Sequence, residues 1–82
     1  MSLTVQALRA RAGRHDRDEP LVDYEGTRPV RAIVTVRRGN ERATGIAWEA
    51  DLTSPVARRH AHACLVIAAE SRALRSLLDE VP

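Results

Sequence analysis

PVARRHAHACLVIAAESRALRSLL, residues Pro55 to Leu78, is the one stretch long and regular enough to organise the chain. At the angular step of an α-helix, Val56, His60, Ala63, Ile67, Leu74 and Leu78 share one stripe, with Cys64 and Leu77 on its flanks. Ser54 and Pro55 supply the start: a serine hydroxyl accepts a backbone N–H, and proline's fixed φ suits the first helical position. The spacing predicts one helix over residues 54–80, whose stripe needs a covering surface. On the same wheel Leu65 lies opposite the stripe, beside Ala61, Ala68 and Ala69, so the middle of the helix is apolar nearly all round. A partner chain is one way to cover that second side, which makes Ala61, Leu65, Ala68 and Ala69 the candidate protein interface.

The surface for the first stripe comes from the segment before it. From Val30 to Val36, Val30, Ala32, Val34 and Val36 alternate with Arg31, Ile33 and Thr35, the period-two mark of a strand with one buried face. Arg38-Gly39-Asn40-Glu41 has turn chemistry, and Ala43 to Ala50 reads as the returning strand of a hairpin. Gly45 inside it points to a bulge or a close backbone approach. Leu21 to Glu25 is a further, less regular strand, with Gly26 to Pro29 as the turn after it.

At the N-terminus, residues 2–13 read as a short amphipathic helix, with Leu3, Val5, Leu8 and Ala12 on one face and Gly13 at its end. Arg14 to Glu19, closed by Pro20, is a dense charged run read as a solvated linker. Its acids lack the Asp-x-Asp-x-Asp-Gly spacing that wraps calcium. The expected architecture is therefore α+β: a two-layer α-β-β-β-α domain over residues 1–82, with a small antiparallel sheet drawn from residues 20–50 and both helices on one face.

Composition narrows the function classes. Eighty-two residues make one small domain, and with only Tyr24 and Trp48 aromatic its core must be aliphatic and alanine-rich. All thirteen basic residues are Arg, against eleven acidic ones, a formal net charge of +2 that by itself implies no polyanionic partner. A single cysteine, Cys64, excludes an intramolecular disulfide. No apolar run reaches the ~18 residues of a membrane span, and the N-terminus has no signal-peptide pattern. A cytoplasmic location without a membrane partner is the expectation.

The order helix, three antiparallel strands, helix resembles the double-stranded-RNA-binding domain, over almost the whole chain. That family opens its first strand near Pro-x-Tyr-Glu, and here Pro20 and Tyr24-Glu25 stand with two further residues between them. Ala32-x-Val34-x-Val36 is similar to its second strand, Gly45-Ile46-Ala47 to the Gly-x-Gly that ends its third, and Ala57 to Leu78 to its alanine-rich closing helix. The family's Gly-Pro-x-His loop appears as Gly26-Thr27-Arg28-Pro29. Its Ser-Lys-Lys-x-Ala-Lys appears as Ser54-Pro55-Val56-Ala57-Arg58-Arg59, without the paired lysines, and five additional residues precede the helix. The resemblance implies a non-catalytic module for structured nucleic acid, double-stranded RNA foremost, recognised by shape and phosphates. Related domains that lack the basic signature serve in protein docking or dimerisation, so docking to another protein or a homodimer is the alternative.

The residues that would touch nucleic acid are Arg28, Arg31, Arg58, Arg59 and His62. In one continuous helix, Arg58, Arg59, His60 and His62 occupy the first turns, where the macrodipole disfavours cations by roughly 0.3–1 kcal/mol each; a bound phosphate would explain the placement, and so would a solvated face with Arg58 and His62 in water and His60 packed at the end of the core. His60, His62 and Cys64 are all metal-ligand types, but only His60 and Cys64 share a face, so no metal site is expected. No nucleophile motif, glycine-rich phosphate loop or paired-carboxylate spacing is present, and neither an enzyme nor a cofactor is expected.

Overall fold

The structure is a computed structural model that describes residues 3–79. Thr4 opens α1 (Val5–Ala12) by accepting the Ala7 N–H on its hydroxyl, and the Gly13 N–H closes it on the carbonyls of Arg9 and Ala10. Leu8 and Ala12 are buried, with Leu3 and Val5 packed against them, which is the face expected from the spacing. Ser2, part of the expected helix, lies outside the described residues.

The charged run that follows is more than a linker. Asp16 and Arg17 form a two-residue strand, β1 (Asp16–Arg17), ahead of β2 (Leu21–Glu25), β3 (Arg28–Arg38) and β4 (Glu41–Trp48). All pairings are antiparallel and β3 is central: β4 runs along one edge, and on the other β2 covers its first part and β1 its last. The Asp18 N–H donates to the Thr35 carbonyl at 3.0 Å, so β1 and β2 are one edge strand interrupted before Pro20. Two residues, Gly39 and Asn40, join the Arg38–Glu41 pair, and Gly39 at φ 60° supplies the positive φ that so tight a hairpin needs at its first turn position.

Ala32, Val34 and Val36 of β3 and Gly45 and Ala47 of β4 point to the buried face, as alternation requires. The helices cover that face, giving the two-layer α+β fold with a four-stranded antiparallel sheet. The free edge of β4 is closed at one end by side chains. Arg72 donates to the Ile46 carbonyl at 2.7 Å and to Asp51 at 2.9 Å, and the Asp51 carboxylate accepts the Trp48 N–H. Two outward groups of an edge strand are thereby satisfied.

The long helix departs from its expected form in two ways. After a 3₁₀ turn (Glu49–Asp51) it begins at Ser54, which caps the Ala57 N–H, but it is split into α2 (Pro55–Arg59) and α3 (Ala61–Leu77) at His60, whose φ −113° and ψ 42° are not helical. Asp79, at φ 54°, follows its end, and Glu80 lies outside the described residues.

The buried stripe is also rotated. Leu65, Ala69, Ala73 and Leu77 form an i, i+4 ridge toward the sheet, with Leu74 buried beside it, whereas Val56 and Ile67 are 62% and 47% exposed. Leu65 and Ala69, expected at a partner interface, are fully covered by their own chain; Ala61 and Ala68 are half-buried and pack against the same core. The cause is the distance between the layers. A Cβ on Gly45 would overlap the Ala69 carbonyl oxygen and the Ala73 nitrogen, so the helix backbone rests directly on β4. Where the ridge crosses Gly45 its residues are the small Ala69 and Ala73, with Leu65 and Leu77 to either side, and Ile67 is turned outward. Of the expected common core, Leu8, Val34, Val36 and Leu74 are in it and Leu3 packs against it, whereas Ile67 does not belong to it.

Candidate nucleic-acid interface

The antiparallel order brings the turn between β2 and β3 to the same end of the sheet as the α2–α3 break. Between them lies a groove of about 460 Å³. Tyr24, Thr27 and Pro29 of the hairpin form one wall; Arg58 and Arg59 of α2, with His60 and His62, form the other. Pro29 reaches this side through a bulge. The β2–β3 register shifts between Asp23 and Tyr24, so Val30 is the extra residue of β3 and Pro29 comes opposite Tyr24.

The two walls are tied together. The Tyr24 hydroxyl and His62 Nδ1 share a 2.8 Å hydrogen bond, and the rings are 6.3 Å apart at 28°. Arg58 donates through Nε to the Leu52 carbonyl at 3.2 Å, which fixes the root of its guanidinium while its terminal nitrogens have no partner among the described residues. The side chains of Arg59 and His60 have no hydrogen-bond or ion-pair partner, and no carboxylate lines the groove, among the described residues. Both arginines sit in the last turn of the five-residue α2, not the first turns of a long helix. The dipole penalty expected from a continuous helix is therefore absent, and their position requires no bound anion to explain it.

Of the five nucleic-acid candidates, the groove unites Arg58, Arg59 and His62. Arg28 is at the adjoining turn but is shared between Glu25 and Glu49, both at 3.5 Å. Arg31 is elsewhere: it pairs with Asp23 and lies 5.1 Å over the Trp48 ring, on the sheet face away from the helices. Tyr24 and Pro29 join the site without any sequence signal for this role. Tyr24 and His62 are 38 residues apart, so no local pattern marks them as neighbours.

A second arrangement missed in the sequence is a buried carboxylate. Glu70 of α3, 2% exposed, accepts from Arg9 at 2.6 and 2.8 Å and from Arg17 at 2.9 Å. The Arg9 hydrogen bonds, reinforced by the charge of Arg17, hold its carboxyl below the usual carboxylate range against the opposing effect of burial. This triad fastens α1 and β1 to α3 and is structural. Cys64 is half-buried in the core, and no group of three or more His, Cys, Asp and Glu side chains among the described residues is placed to hold a metal ion. No described helix is long and apolar enough to cross a membrane.

Compared with models of protein families, with curated proteins and with solved structures, the chain matches none.

Proposed function

We propose that this domain is a non-catalytic binding module for structured nucleic acid, double-stranded RNA foremost. One observation carries the reading: the β2–β3 turn and the start of the closing helix converge on a groove that holds Arg58, Arg59, His60 and His62 with no carboxylate in its lining. Guanidiniums without an internal acid partner are available to phosphate oxygens, which they meet in a planar fork. The order of elements that resembles the double-stranded-RNA-binding domain supports the same reading, with Gly26 to Pro29 and Ser54 to Arg59 in the places of its RNA-contacting parts, although they lack its Pro-x-His and its paired lysines.

A salt titration of binding to a generic RNA duplex tests it. Wild type binds at low salt with log affinity falling linearly in log salt, and Arg58→Ala with Arg59→Ala lowers the slope by about one unit for each phosphate that the variant no longer holds. A wild-type protein that leaves the duplex unbound at low salt removes the reading.

A second reading, a dimerising or docking domain, is favoured by a different face. With the helix belt buried, an apolar row remains on the open side of the sheet, where exposed Leu21 and Ile46 flank half-buried Ile33 across three strands beside Trp48. Ile33 lies between two aliphatic neighbours, so the row meets a two-fold copy of itself with like against like. Sedimentation of wild type and Ile46→Glu tests this: a dimer in wild type and a monomer in the variant support it, and a monomeric wild type removes self-association.

A further inference from the structure

Reading duplex RNA by shape needs cations and hydrogen-bond donors along the phosphates; it has no use for a ring surface, because the bases of a duplex are stacked on each other. The groove nonetheless has one. Tyr24, one of two aromatic residues in the chain, is 52% exposed, and its hydrogen bond to His62 across the groove holds the two rings together in a lining shared with Arg58 and Arg59. Pro29 adds a flat apolar surface next to them. At about 460 Å³ the groove is also larger than a phosphate group requires and falls within the range of roughly 300–1,000 Å³ typical of small-molecule sites.

We infer that the groove takes one unpaired nucleotide, its phosphate on Arg58 and Arg59 and its base stacked on the Tyr24–His62 pair. The inference rests on the groove being a nucleic-acid contact and adds which part of the nucleic acid enters it. An unpaired base offers an open π face, and stacking on an aromatic side chain is indifferent to base identity, so the site distinguishes paired from unpaired ends without reading sequence. The hydrogen bond to His62 restrains the tyrosine before binding, so little side-chain freedom is given up when a base stacks on it. Among the described residues no carboxylate lines the groove to repel the phosphate. The same chemistry is present in a free nucleoside monophosphate, and the experiment separates that source from a nucleic-acid end.

Binding is measured by fluorescence anisotropy to a blunt RNA duplex and to the same duplex with a short unpaired extension, and by chemical-shift titration with free adenosine monophosphate. The expected result is about tenfold tighter binding of the extended duplex, within the range set by stacking one base. Tyr24→Leu abolishes that gain, so that the variant binds the extended and the blunt duplex equally. Tyr24→Phe, which keeps the ring and loses only the hydroxyl, retains most of it; circular dichroism of each variant establishes that it is folded. Equal wild-type affinity for the two duplexes, with both weakened by Arg58→Ala and Arg59→Ala, overturns the nucleotide inference and leaves the phosphate reading standing. A gain that survives Tyr24→Leu overturns it as well. Saturable adenosine monophosphate binding centred on Tyr24 and His62, with no duplex bound, supports a nucleotide groove and overturns the duplex reading. Failure to bind the monophosphate or either duplex overturns both.

Discussion

Ala69, Glu70, Ala73 and Leu74, in the middle of α3, are closed off from water, whereas Arg59, His60 and His62, around its start, stand open beside the β2–β3 turn. The middle is held in three ways at once: backbone against Gly45, Leu74 in the aliphatic core, and Glu70 between Arg9 and Arg17. The beginning has no buried residue in α2 at all. Arginines occur in both regions with opposite meaning. Arg9 and Arg17 face a buried carboxylate and fix the fold, while Arg58 and Arg59 face a groove lined by no carboxylate among the described residues. Stability and the proposed binding therefore fall on separate parts of the same helical segment, and different substitutions test them.

The severest test of this separation is Gly45→Val. Its side chain must displace the α3 backbone rather than a flexible group, so the cost exceeds the roughly 1–3 kcal/mol of ordinary overpacking and takes much of the roughly 5–15 kcal/mol that holds a domain together. Loss of a cooperative thermal transition is the expected outcome. A variant that melts near the parent would mean the helix does not lie on β4.

Next in size is a paired comparison on α3. Leu74→Ala removes a fully buried side chain and costs about 2–5 kcal/mol, while Ile67→Ala, on a half-exposed side chain, costs less than about 1 kcal/mol. Chemical denaturation of both measures the rotated stripe directly, and comparable losses would restore the orientation read from the helical wheel.

Glu70→Gln is smaller and depends on pH. It weakens charge-assisted hydrogen bonds worth about 1–3 kcal/mol at neutral pH. Because the folded carboxyl titrates below its unfolded value, the triad's contribution is complete above the ordinary carboxylate range and disappears as pH falls through the lower, folded value. Melting curves should thus show the widest gap between wild type and Glu70→Gln at neutral pH, narrowing in acid. A gap independent of pH would show that the carboxylate charge is not what the arginines hold.

The smallest stability effect is expected at the other end of the comparison. Arg58→Ala with Arg59→Ala should change stability by no more than about 0.5–1 kcal/mol, since Arg58 forfeits only a partly exposed hydrogen bond and Arg59 none. A large drop in thermal melting would make these arginines structural and blur the contrast with Arg9 and Arg17.

Much of this molecule follows from the sequence because the signals are local. The alternation of Ala32, Val34 and Val36, the Gly39-Asn40 turn, the Ser54-Pro55 start and the periodic face of α1 each specify an element from residues a few positions apart, and together they fix the α+β order. The phase of α3 is not among them. A helical wheel ranks faces by hydrophobicity, but the sheet approaches so closely at Gly45 that side-chain size decides, and the alanine ridge goes in where the isoleucine cannot. The break at His60 likewise moves Arg58 and Arg59 from the start of a long helix to the end of a short one. No local pattern marks Glu70, and only folding sets it opposite arginines 61 and 53 positions away. Arg58, Arg59 and His62 are legible as cationic candidates by type alone. That they share a groove with Tyr24 and Pro29, and that Arg31 does not, depends on tertiary structure, because contacts between distant segments leave no periodicity for the sequence to show.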